Sequence, residues 1–197
     1  SAVAVLYAEG ILIAAENASS TLLKVSEIYD RIAFAGVGKY NEFDQLRIAG
    51  VRHADLKGYS YSREDVDARS LANAYAQMLG QIFTHEMKPM EVEILVAEVG
   101  ASEAEDQIFH ILYDGSVVDE DRYSVIGGDA EAIGARLEAG FEPGLDLGGA
   151  LNAAVSALAG PDRSIAPAEL EVAVLARGNG RRAFRRADPH DPRRESG

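Results

Sequence analysis

The chain opens with two short apolar runs, Val3 to Leu6 and Ile11 to Ala15, set either side of Ala8-Glu9-Gly10. Runs this short and this apolar read as well-buried strands, and a glycine in the connection is expected to supply the positive φ of a tight hairpin turn. Ser26 to Gly38 reads as two further strands broken near Tyr29-Asp30-Arg31, the second carried by Ile32, Phe34 and Val37. The period then changes. From Asn41 to Ala54, the residues Phe43, Leu46, Ile48 and Val51 are placed for one apolar side of a helix. A longer helix follows, with Ser62 as the expected N-cap and Asp65 as its acidic partner three residues on. Val66, Leu71, Tyr75, Met78, Leu79 and Ile82 recur at helical spacing, and Pro89 bars continuation. Met78 and the aromatics of this stripe read as core, not as a cofactor site.

Three strands come next: Val92 to Val99, Gln107 to Tyr113 and Tyr123 to Ile126, with Asp114-Gly115 as a turn dipeptide and Gly127-Gly128 ending the block. Two more helices, Ala130 to Ala139 and Leu147 to Leu158, are separated by Pro143-Gly144. Leu170 to Leu175 is a last strong strand, beside which Arg182 to Arg185 is expected to pair. The order is strands, two helices, strands, two helices, strand. That is not the βαβ alternation of a parallel sheet. Two antiparallel sheets packed together, with a helix pair outside each, would bury every apolar face. Residues 1–187 read as one domain, and 188–197, DPHDPRRESG, has the composition of a flexible tail.

Composition narrows the class. A chain of 197 residues with 47% hydrophobic content fits one sizeable globular core. No apolar run approaches the ~20 residues of a membrane span, so no membrane partner is expected. The start lacks a basic region and a cleavage signature, and there is no cysteine, which excludes disulfides and thiolate chemistry and suits a cytoplasmic protein. The net charge of −13 is uneven: six arginines against three acids give Arg181 to Gly197 a charge of +3 and leave −16 on the rest. RRAFRR is therefore read as a solvated or acid-pairing segment, and no nucleic-acid partner is expected, because the bulk of the chain repels phosphate.

The candidate chemistry is sparse. His53, His85, His110 and His190 show no metal-ligand spacing, no HExxH or GxSxG occurs, and GGDAEAIG is too irregular for a phosphate loop, so no metal or cofactor is implied. One constellation stands out. Ser1 precedes a strand, Glu16 ends the hairpin and Lys24 opens the next strand. An N-terminal hydroxyl can use its own α-amine as base, with a nearby lysine holding its pKa down. That is the outline of an N-terminal-nucleophile hydrolase; the plainer alternative is that Ser1 is merely where the sequence starts.

The segments KVSEIYDRIAFAGVGKYNEFDQL, GYSYSREDVDARSLANAYAQMLGQIFTHEMKPMEVEILVAEVG and LEVAVLARGNGRRAFRR resemble proteasome α-type subunits of the actinobacterial kind, over nearly the whole chain. The resemblance implies an α+β fold, the four-layer α/β/β/α sandwich of the N-terminal-nucleophile hydrolase superfamily. It implies a non-catalytic subunit of a threonine-type endopeptidase: a homo-heptameric α-ring that stacks on β-subunits, gates the passage of protein substrates and docks a ring-shaped ATPase activator. In the resemblance, the β-type nucleophile falls one residue before Ser1, Glu16 matches the β-type aspartate, Lys24 its catalytic lysine and Gly38 its oxyanion-hole glycine. In α-subunits the matching lysine serves the pocket that receives an activator's C-terminal tail, so Lys24 and Gly38 are the expected docking pocket; an internal ion pair for Lys24 is the alternative. His85, Glu86, Met87 and Lys88 fall where α-subunits line the ring opening. The helix pair between Asn41 and Met87 is the expected stacking face. Whole α-subunits place a gate segment and a helix before the first strand, and neither stands in this sequence, so no gate residues are assigned.

Overall fold

The computed structural model describes residues 1–196. Its first two strands, β1 (Ala2–Tyr7) and β2 (Gly10–Glu16), form the expected hairpin, with Tyr7 opposite Gly10. Gly10 does not supply a positive φ, however. It is needed for closeness: a Cβ there would lie 1.9 Å from the carbonyl oxygen of Leu175 on the neighbouring strand. Next come β3 (Val25–Tyr29) and β4 (Ile32–Gly38), antiparallel with an irregularity between Glu27 and Tyr29.

Helix α1 (Tyr40–Ser60) runs two turns beyond the sequence expectation. Phe43 and Leu46 are buried in it as expected, but Ile48 is exposed. Ser62 caps a single 3-10 turn, Arg63–Asp65, accepting from the Glu64 N–H. Helix α2 (Ala68–His85) has its own cap, Asp67, whose carboxylate accepts from the Ser70 N–H at 3.1 Å. Asp67 is the better cap because Val66 turns inward to the core just before it, which fixes the angle at which the chain enters the helix.

Strands β5 (Val92–Glu98), β6 (Gln107–Ile111), β7 (Val117–Glu120) and β8 (Tyr123–Ile126) follow. The hairpin partner β7 was not expected from the pattern. Helices α3 (Ala130–Gly140) and α4 (Leu147–Ala159) precede β9 (Leu170–Ala176) and β10 (Phe184–Arg186). One sheet has the order β10-β9-β2-β1-β8 and the other β3-β4-β5-β6-β7, each antiparallel throughout. Three apolar layers hold the sandwich. Ala4, Ile13, Ala35, Leu95 and Leu175 lie among the residues between the sheets. Phe34, Phe43, Leu46, Leu71 and Tyr75 join α1 and α2 to the second sheet, with the Phe34 and Tyr75 rings 5.8 Å apart. Val5, Leu12, Leu137 and Leu158 join α3 and α4 to the first. From Asp188 the chain turns back beside β10, where Ala187 bridges Glu195. No helix among the described residues is long and apolar enough to cross a membrane.

Candidate functional site

The chemistry predicted from sequence converges on one end of the sandwich. The ends of β2 and β4 and the starts of β1, β3, β5 and β9 lie there, so Ser1, Glu16 and Lys24 come together although the chain separates them, and Gly38 ends its strand on the same side of the sandwich. The Glu16 N–H donates to the carbonyl of Ser1 at 3.2 Å. Glu16 itself is held by Arg163, from the α4–β9 connection, through two bonds of 2.7 and 2.9 Å. That bidentate pairing holds the Glu16 carboxyl below its ordinary range, against a smaller opposing effect of burial.

Lys24 lies immediately before β3, half-buried. Its ammonium donates to the carbonyl of Glu16 at 2.7 Å, and among the described residues no carboxylate forms an ion pair with it. The main chain around it is fixed from a distance. The Glu171 carboxylate accepts from the Lys24 N–H at 2.8 Å and the Val25 N–H at 3.1 Å, and also from the Asn17 side-chain amide. Asn17 in turn donates to the carbonyl of Leu22 at 2.8 Å, and Arg186 approaches Glu171 to 3.6 Å. The 17–24 loop is thus tied to the first residues of β9. Sequence reading missed Glu171. A signal was present: Glu171 shares its strand parity with Ala173 and Leu175, both in the layer between the sheets, and a carboxylate at a core-facing position needs donors to satisfy it.

Gly38 closes β4 on the same end. Its φ is +106°, and a Cβ there would lie 2.1 Å from the carbonyl of Glu91, so both the backbone angle and the close approach of β5 call for glycine. The Gly36 N–H donates to the carbonyl of Lys24 at 3.0 Å, which places Gly38 two residues further along β4 than the residue level with the lysine. The loop from α2 to β5 emerges at this end too. His85 is the last residue of α2, the Glu86 N–H closes the helix onto Ile82, Met87 is fully exposed, and Lys88 pairs with Glu91 at 3.3 Å. Of the other histidines, His110 pairs with Glu93 at 2.8 Å, His190 is exposed in the C-terminal segment, and His53 has a buried ring nitrogen without a partner among the described residues.

The site combines a cation without a counter-ion, a rigid glycine-bearing strand end and an exposed loop. It suits recognition of an anion better than proton transfer, because its two carboxylates are already saturated by Arg163 and by backbone N–H groups.

Comparison with known proteins bears on the same reading. The model of the proteasome subunit family matches residues 1–175. A protein of Acidimicrobium ferrooxidans named proteasome subunit alpha is 59% identical over 188 residues, covering 95% of this chain and 81% of that one. Proteins of the same name from Sanguibacter keddieii and Xylanimonas cellulosilytica are 58% and 57% identical over 191 residues each, covering 94% and 91% of this chain and 75% and 78% of theirs. These names do not favour a hydrolase acting through Ser1. With sandwich, helix layers and sequence in agreement, the chain belongs to the proteasome subunit family, alongside its α-type members.

Proposed function

We infer that this chain is a non-catalytic α-ring subunit of a 20S proteasome core. Seven copies form the outer ring, which stacks on a β-ring carrying the threonine-type active sites, controls the passage of protein substrates and docks a ring-shaped ATPase activator. The particle works in the cytoplasm. Two features support stacking through α1 and α2: Leu56, Tyr59 and Tyr61 project from the end of α1, and Phe83 from α2, all more exposed than such side chains are in a finished core. The loop His85–Lys88 is the segment lining the ring opening.

One observation carries the docking role: Lys24 is held in place by its main chain, yet its ammonium has no carboxylate partner among the described residues. A C-terminal carboxylate supplies the missing counter-charge, and the strand end at Gly38 bounds the pocket. The substitution Lys24→Ala in the assembled particle tests this. Small-peptide hydrolysis should stay normal while stimulation by an activator with an intact C-terminus falls. The loss should correspond to about 2–5 kcal/mol where the pair is desolvated, and nearer ~1 kcal/mol where water enters. Lys24→Arg should give a partial defect, because a planar guanidinium replaces a point charge. An activator lacking its last residues should not respond to either change. Equal affinity of wild-type and Lys24→Ala particles for the intact activator would overturn the assignment.

A further inference from the structure

A cavity of about 560 Å³ opens at the end where β1 turns into β2, away from Lys24 and Gly38. Its size is that of a small-molecule site, roughly 300–1,000 Å³. Three parts of the chain wall it: the hairpin residues Tyr7 to Glu9, the first turn of α4, and the segment His190 to Arg193. The last wall is built, not loose. The Asp188 N–H donates to the carbonyl of Arg194 and the Arg194 N–H to the carbonyl of Asp191, both at 2.9 Å, and Pro192 is buried. Tyr7 is the group the fold leaves unused. It is only 3% exposed, yet its hydroxyl bonds to no group among the described residues. Burial pushes its pKa up to about 12, so the hydroxyl keeps its proton and stands as a donor. A buried donor of this kind calls for an acceptor.

The N-terminus of α4, a helix of 13 residues, borders the same cavity. Asp146 takes the Gly149 N–H on its side chain at 2.7 Å and the Ala150 N–H on its carbonyl at 2.9 Å. The N–H groups of Leu147 and Gly148 are left without an acceptor among the described residues. With the Tyr7 hydroxyl they make three donors around one space, a set that suits a carboxylate. The charged groups decide the rest of the ligand. Asp146 is occupied as the helix cap, and Asp191 is held by Arg193 at 3.0 Å and Arg194 at 3.6 Å. Arg185 acts on the Tyr7 hydroxyl from nearby and has no carboxylate partner among the described residues, which favours an anion there. Glu9 acts on the same hydroxyl in the opposite sense, is exposed, and forms no ion pair among the described residues. A ligand that is anionic throughout would meet the Glu9 charge, so a cation must follow its carboxylate closely. The Tyr7 ring, Leu147 and Pro192 suit an apolar body between the walls.

We propose that this cavity binds a small zwitterion with an apolar body, an apolar amino acid or short peptide, with its carboxylate on the Tyr7 hydroxyl and the Leu147 and Gly148 N–H groups and its ammonium at Glu9. Calorimetric titration of the full-length subunit tests it, with L-leucine and leucyl-leucine as probes; the tighter of the two names the source. Two further probes are leucine with one pole removed. 4-Methylpentanoate lacks the ammonium and should bind about fivefold more weakly than leucine. 3-Methylbutylamine lacks the carboxylate and should bind at least about tenfold more weakly. Tyr7→Phe keeps the ring and removes only the hydroxyl, and should weaken leucine about tenfold. Glu9→Gln, at an exposed position, should weaken it about fivefold and erase the preference over 4-methylpentanoate, which keeps the test open where Tyr7→Phe fails to fold. Saturating leucine should also slow tryptic cleavage after Arg193 and Arg194, because the ligand fastens their segment to α4. The proposal is overturned if neither leucine nor the dipeptide binds, if folded Tyr7→Phe or Glu9→Gln binds leucine like wild type, if the amine binds as tightly as leucine, or if binding leaves the cleavage rate unchanged.

Discussion

The two ends of the sandwich use the same residue types to opposite effect. At the end where β1 turns into β2, Arg177 meets Asp106 at 2.6 and 3.2 Å, and the Asp106 side chain is wholly buried. Asp106 also accepts from the Gly100 N–H at 2.8 Å, and Arg31 donates to the carbonyls of Val99, Gly100 and Gly180. Those cations are saturated inside the fold. At the other end the carboxylates of Glu16 and Glu171 are saturated, yet Lys24 has no opposite charge. A buried pair at one end fastens turns together. The positioned but unpaired cation at the other is what the proposed docking role requires. The contrast separates stability from recognition, and substitutions can break it.

The largest effect is expected at the closed end. Asp106→Ala leaves Arg177, itself only 17% exposed, without its partner. Removing one member of such a buried pair costs about 3–5 kcal/mol, which for a chain of this size lowers Tm by roughly 10 °C. Thermal unfolding at fixed protein concentration measures it. A fall of only a degree or two would mean that the closed end is not the fastening it is taken for.

Glu171→Ala comes next. It strips the acceptor from the Lys24 and Val25 N–H groups and from Asn17, so about 1–3 kcal/mol of stability should go. Unlike Asp106→Ala, it should also impair activator docking, because the main chain that positions Lys24 loses its tie. Docking equal to wild type in folded Glu171→Ala particles would show that Lys24 needs no such support.

The difference between the ends also marks what sequence could and could not disclose. Strands with a buried face were legible: IAFAGVG and LEVAVLA state their burial outright, and α2 repeats Leu71, Tyr75 and Leu79 on one side. β7 was not legible. Val117, Val118 and Asp119 are all exposed, so no buried face imprints a period on the strand. The last two turns of α1 were missed for the same reason, since Leu56, Tyr59 and Ser60 face solvent. Ile48 misled because helical spacing records an apolar side without saying whether another element covers it. Lys24 was singled out by its place in the Ser1–Glu16–Lys24 constellation and by resemblance, Gly38 by resemblance alone. Glu171, which fixes Lys24 from 147 residues away, was read as the ordinary opening of a strand, because a long-range bond leaves no local pattern. Local signals therefore identified the reactive-looking groups, and only the fold disclosed what holds them.

A smaller effect is expected at Glu98, the closed end's counterpart to Lys24. Its carboxylate has no cation partner among the described residues and accepts from the Ala68 N–H at 2.8 Å, at the start of α2. Burial pushes its pKa up, and that N–H bond only partly opposes the shift. The folded state therefore favours the protonated form. The stabilising contribution of Glu98 is full below the unfolded carboxyl range, about pH 4, and is lost as pH rises through the folded value. Glu98→Gln keeps an acceptor for Ala68 without the charge. It should match or slightly exceed wild type in urea midpoint near neutral pH, and the difference should close as pH falls toward ~4. A midpoint difference independent of pH would show that Glu98 is not under this strain.

The smallest effect on stability is expected where the functional effect is greatest. Lys24→Met keeps most of the aliphatic stem, which packs while the charged head is presented outward, and removes the ammonium. The fold loses one bond to the carbonyl of Glu16 and no ion pair. The N–H groups of Lys24 and Val25 still reach Glu171, because those bonds are made by the main chain. Stability should therefore stay within about 0.5 kcal/mol of wild type, the range of surface changes that break no named structural feature. Docking of an activator with a free C-terminal carboxylate should be lost in the same particles. The two measurements must be read together. A lysine that fastens the fold would move the unfolding midpoint and docking in parallel, as Glu171→Ala does, whereas a lysine kept for a ligand moves docking alone. Were Lys24→Met to lower Tm as far as Glu171→Ala, the open end would be fastened like the closed one, and the distinction between them would fail at the residue that defines it.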